Sequence, residues 1–136
     1  NDTTIPFTAN DCIYFFHFMN NDLKLRTKEF AVRIIKLFSS LPKTAEAQVV
    51  GKQILRSGTS VGAHSRESQY AKSDADFVSK IEGGLQELEE TAYWLELLDE
   101  MNLFNSEKLQ PIRKETDELT AIFVTIVKKV KIRRRS

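Results

Sequence analysis

From Leu23 to the C-terminal end, apolar residues return every third or fourth position, and nowhere is an alternation of period two sustained. A chain patterned in this way buries one stripe of each helix and offers no two-sided strand for a sheet, so the fold class is all-α. Five glycines and three prolines in 136 residues also supply few tight turns, which weighs against a many-stranded sandwich or barrel. A chain of this length can bury roughly two-thirds of its unfolded surface, so a core forms without metal or disulfide staples. The single cysteine, Cys12, cannot form an internal bridge.

The pattern predicts four helices. The first runs from about Leu25 to Ser40, with Phe30, Ile34, Leu37, Phe38 and Leu41 on one stripe and Pro42 behind it. The second runs from about Thr44 to Ala71 and carries Gly51, Gly58 and Gly62, each of which costs about 0.5 to 1 kcal/mol relative to alanine inside a helix. At about 100° per residue, Gly51 and Gly58 differ by about 20° and Gly58 and Gly62 by about 40°, so the three share one narrow face that another backbone can approach closely. A break at Ser57-Gly58-Thr59-Ser60 is the alternative, and the apolar periodicity that continues through it favours an unbroken helix. Ser73-x-x-Asp76 resembles a capping box and opens a third helix through Phe77, Ile81, Leu85, Leu88, Leu95 and Leu98, ending near Asn102. Ser106 is the expected cap of a fourth, with Pro111 in or near its first turn and Leu109, Ile112, Leu119, Ile122, Phe123, Ile126 and Val130 on its stripe. Short connections make an antiparallel up-down-up-down four-helix bundle the default. The chain divides into an N-terminal extension (1–19), the bundle (20–130) and a basic C-terminal tail (131–136).

Charge is sorted along the chain. Residues 23–72 hold ten basic and three acidic side chains, 73–127 hold four basic and thirteen acidic, and 128–136 hold six basic and none acidic, so the formal net charge of +1 hides a strongly polar molecule. The basic hairpin contributes Lys24, Arg26, Lys28, Arg33, Lys36, Lys52, Arg56, Arg66 and Lys72, which either form a nucleic-acid footprint or balance the acidic third helix. Lys128, Lys129 and Lys131 are explained in part by the dipole at a helix C-terminus, whereas Arg133, Arg134 and Arg135 exceed that need and look like phosphate contacts. The acidic run from Glu82 to Glu100 has no basic residue, and Tyr93-Trp94 within it is expected to pack at a helix interface.

Catalytic and metal constellations are thin. His64-x-x-Glu67 is a single pair in a chain of two histidines, far short of a di-metal bundle site. Cys12 and His17 are five residues apart, a spacing that does not bring them to one helical face. Gly83-Gly84 lies mid-helix, not in a phosphate loop between strand and helix. No enzyme, metal or cofactor is expected. The best apolar runs, 12–19 and 119–127, fall short of the roughly 18 to 20 residues a spanning helix needs, and the N-terminal run lacks the flanks of a signal peptide. A cytoplasmic protein with no membrane partner is the expectation.

Three stretches resemble one family: Asp22-Leu-Lys-Leu-Arg-Thr-Lys-Glu-Phe-Ala with Leu41-Pro42; Gln53-Ile-Leu-Arg-Ser-Gly-Thr-Ser-Val-Gly-Ala-His-Ser-Arg-Glu67; and Phe77-Val-Ser-Lys-Ile with Glu87-Leu-Glu-Glu-Thr-Ala-Tyr-Trp-Leu. This is the family of bacterial four-helix-bundle proteins encoded within intervening sequences of 23S ribosomal RNA genes, to which the accessory variability determinant of diversity-generating retroelements is similar. The likeness covers about 20–130. Residues 1–18 lie outside it, and Met19-Asn-Asn-Asp looks like a family start. The resemblance implies a pentameric ring of antiparallel bundles with a basic surface suited to RNA or DNA and, for the retroelement relative, a reverse-transcriptase partner. Arg56, Ser57, Ser60, Gly62 and Glu67 fall on the family motif without an agreed role, and His64 stands where the family usually has Asn. The resulting expectation is a non-enzymatic, oligomeric nucleic-acid-binding bundle, with a protein–protein scaffold whose opposite charges serve subunit contacts as the alternative.

Overall fold

The computed structural model describes residues 9–135, with side chains over 21–133. Four helices follow one another, α1 (Ala9–Ser40), α2 (Ala45–Ser68), α3 (Asp74–Glu100) and α4 (Ser106–Arg135). Over the described residues each packs antiparallel on its sequence neighbour, α2 on α3 most extensively, while α1 and α4 close the square more loosely. This is the up-down-up-down bundle that the short connections imply.

α1 begins at Ala9, well before the Leu25 start read from the apolar stripe. Asn20, Asn21 and Asp22 are weak helix formers, but none removes a backbone donor as proline would, so the helix passes through them. Likewise α4 continues through the basic segment to Arg135, which makes 131–135 a helical end instead of a tail.

Polar side chains set the other boundaries. Thr44 caps α2 by accepting from Ala47 N at 3.3 Å. Ser73 caps α3 by accepting from Asp76 N at 3.0 Å, and Asp76 Oδ2 in turn accepts from Lys72 N at 3.1 Å, reaching one residue further back than the usual reciprocal box. α3 ends in a Schellman motif. Leu103 N donates to Leu98 O at 3.0 Å, Asn102 N to Asp99 O at 3.0 Å, and Asn102 takes φ 54°, the left-handed conformation usually given to glycine. The cap of α4 is Asn105, whose Oδ1 accepts from Lys108 N at 3.0 Å. Ser106, expected in that role, is the first helical residue, and Pro111 therefore sits in the second turn, where the carbonyl of Glu107 loses one intrahelical donor.

α2 is unbroken across its glycines, and all three are buried against α1 of the same chain. Gly51 lies against Leu41 and Phe38, a Cβ on Gly58 would stand 2.7 Å from Ile34 Cγ1, and one on Gly62 would stand 3.3 Å from Thr27 Oγ1. The stripe is thus an intrachain helix contact. α3 repeats the device, since Gly83 faces the ring of His64 and Gly84 that of Phe123. Large side chains such as Phe30, Ile54, Leu88, Leu95, Leu119 and Phe123 fill the centre. Within it Ser57 Oγ donates to Gln53 O and accepts from Thr91 Oγ1, each at 2.8 Å, so the hydroxyls that face each other between α2 and α3 are satisfied. Trp94 is half-buried against the core as expected of an interface residue, but its neighbour Tyr93 is 54% exposed and meets it only edge-on, with centroids 5.1 Å apart.

Candidate nucleic-acid interface

Interhelical geometry divides the cations into two groups. Arg26 reaches from α1 to α4, donating to Glu115 at 2.8 and 2.9 Å and to Glu118 at 3.1 Å, and the Glu115 hydrogen bonds push its already high pKa higher still. Arg56 bridges α2 to α3, pairing with Glu90 and, at 3.4 Å, with Glu87. The Glu90 hydrogen bond raises the Arg56 pKa, and reciprocally the guanidinium holds the Glu90 carboxyl below its usual range, helped by Trp94 Nε1, which donates from 3.4 Å. Arg113 pairs with Asp99 at 2.8 Å, Lys131 with Glu82 at 3.6 Å and Arg133 with Asp74. Much of the sorted charge is therefore matched within one chain.

The residues expected to contact nucleic acid accordingly separate. Arg56 is held by two carboxylates. Arg133, expected to look to phosphate, is tied to Asp74 at the start of α3 and lines a cavity of about 320 Å³ beside Lys72, Ser73, Phe77 and Val130. Lys131 is paired, Lys129 is half-buried, and Lys128 is exposed. Arg134 and Arg135 are helical, with side chains outside the described residues. Arg66 is exposed and forms no ion pair among the described residues.

Arg66 also has company. Contacts of Gly62 with Thr27 and of Gly58 with Ile34 fix the antiparallel register of α1 and α2, which brings Lys24 level with Arg66 and Lys28 level with Ala63. At about 100° per residue, Lys24 and Lys28 lie about 40° apart on the outward side of α1, and Lys52 and Arg66 lie about 40° apart on the outward side of α2. All four are exposed, and none is in an ion pair among the described residues. Four cations on the outer face of one hairpin, none of them paired with an acid among the described residues, form a field that attracts a polyanion.

The sequence does not separate these four from Arg26 and Arg56, because the carboxylates that claim the latter two lie 31 to 92 residues away. Spacing within a helix reports only neighbours three or four residues apart.

On the opposite side, Glu82, Gln86, Glu89, Tyr93, Glu96 and Glu100 are all exposed and recur at three- and four-residue intervals along the outward face of α3. Among the described residues no three His, Cys, Asp or Glu side chains gather as metal ligands, and no helix is long and apolar enough to cross a membrane. His64 Nδ1 is buried over Gly83 without a hydrogen-bond partner among the described residues, 3.9 Å from Glu67 Oε2, so the ring fills a notch between α2 and α3.

Comparison with known proteins places this geometry. The chain is similar to a protein of unknown function from the S23 ribosomal protein family of Bacteroides thetaiotaomicron, whose crystal structure aligns with a TM-score of 0.75 and 41% identity over 80% of this chain and 97% of that one. No curated protein matches. A family model for the 23S rRNA-intervening sequence protein matches residues 19–125, which include all of α2 and α3, the described side chains of α1 and most of α4. With the greater part of the chain inside that match, the chain belongs to the 23S rRNA-intervening sequence protein family.

Proposed function

We propose that this protein is a non-enzymatic, oligomeric bundle that binds structured nucleic acid through Lys24, Lys28, Lys52 and Arg66, as an accessory to an RNA-processing or reverse-transcribing assembly in the cytoplasm. The observation that supports this reading is the set of four exposed cations on the α1–α2 face that form no ion pair among the described residues, whereas Arg26 and Arg56 of the same two helices are claimed by carboxylates of α4 and α3. Mutual repulsion of those cations is relieved when phosphates replace their counterions. Anisotropy of a labelled RNA hairpin tests it: changing all four to alanine weakens binding by about tenfold or more, roughly equally across sequences, because phosphate contacts carry no sequence information. Unchanged affinity contradicts it.

The exposed acidic face of α3 favours a second reading, a scaffold in which that face meets a basic protein surface, including the α1–α2 face of another copy. Self-association that weakens with salt, in a protein that binds no RNA, supports the scaffold reading over the first.

A further inference from the structure

The looser seam between α1 and α4 opens into a groove of about 270 Å³ near the C-terminal end of α1. Leu37, Phe104 and Ile112 give it an apolar floor, Arg33, Lys36 and Lys108 surround it, and among the described residues no acidic side chain lines it. All three cations are exposed, and none forms an ion pair among the described residues. Lys108 is the third residue of α4, where the positive end of the helix dipole disfavours a cation, so helix stability does not explain its place. Three like charges around one apolar notch attract an anion, and the apolar floor between them suits one that carries a ring. The volume lies just below the range of about 300 to 1,000 Å³ typical of ligand pockets, enough for one ring system and its phosphate.

Resting on the reading that the protein binds nucleic acid, we infer that this groove holds one unpaired nucleotide of the bound strand, with its phosphate among Arg33, Lys36 and Lys108 and its base against Phe104. Base stacking on an aromatic face tolerates any sequence, and a duplex base cannot reach the floor. The site therefore selects for a single-stranded segment, whereas the α1–α2 face reads backbone charge alone.

The test uses the full chain with a labelled single-stranded RNA of about 12 nucleotides, within the usual range of single-strand site sizes, and a fully paired duplex of the same sequence. The variant Arg33→Ala/Lys36→Ala/Lys108→Ala is expected to bind the single strand about tenfold more weakly, with the slope of log affinity against log salt reduced by about 0.7 to 1.4, equivalent to one or two phosphates. Phe104→Leu, which keeps an apolar floor and whose folding is checked by circular dichroism, is expected to lose about fivefold or more on the single strand and nothing on the duplex. If wild-type protein binds RNA and neither variant changes single-strand affinity, the groove assignment falls and the α1–α2 reading stands. If wild-type protein binds neither RNA, both fall.

Discussion

Two buried glycines four residues apart face opposite outcomes on gaining a methyl group. At Gly58 the new Cβ would stand 2.7 to 3.0 Å from three carbons of fully buried Ile34, so overpacking of about 1 to 3 kcal/mol outweighs the roughly 1 kcal/mol that alanine gains in helix propensity. At Gly62 the nearest atom is Thr27 Oγ1 at 3.3 Å, a smaller displacement, and Gly62→Ala is expected to be neutral or stabilising by up to about 1 kcal/mol. Chemical denaturation of both variants gives the order, and a Gly58→Ala protein as stable as Gly62→Ala contradicts it. The Arg56–Glu90 pair makes a second expectation. Because hydrogen bonding to Arg56 lowers the Glu90 pKa in the folded protein, the pair stabilises above the ordinary carboxylate range, and that contribution is lost as pH falls through the lowered folded value. Thermal melts of wild type and Arg56→Met should therefore converge on acidification, and an offset that stays constant to about pH 3 excludes the linkage.

At the scale of the element, capping chemistry carries the boundaries. Asn105→Ala is expected to cost about 1 kcal/mol and Ser106→Ala a few tenths, as measured by urea denaturation, because only Asn105 accepts a first-turn backbone donor. Asn102 holds its left-handed φ at some cost, so Asn102→Gly should stabilise by up to about 1 kcal/mol. The existence and order of all four helices, the unbroken path of α2 and the Ser73 cap were legible in the apolar period and the Ser-x-x-Asp signal. The cap of α4 was not, because Asn105 and Ser106 are adjacent residues that both cap well, and only backbone geometry chooses between them. The start of α1 was missed because 12–19 is a nearly continuous apolar run without a three- or four-residue repeat and Asn20, Asn21 and Asp22 then interrupt the pattern, so neither stretch carries the periodic signal of the helix that runs through them.

For the molecule as a whole, segregation of charge was visible in the sequence, but its use was not. Folding antiparallel sets α2 beside α3 and α1 beside α4, so Arg26 and Arg56 meet carboxylates while Lys24, Lys28, Lys52 and Arg66 face outward. Arg133 meets Asp74 because α4 also runs antiparallel beside α3. Light scattering at low micromolar concentration is expected to show an oligomer, in keeping with the ring that the family resemblance implies, and a monomer at every salt concentration contradicts that part of the proposal. The most direct test of the central claim is the salt dependence of wild-type binding to a structured RNA. Neutralising about four phosphates through the α1–α2 face requires log affinity to fall against log salt with a slope of about −3 to −4. A slope near zero, or no binding at low salt, contradicts nucleic-acid recognition by that face.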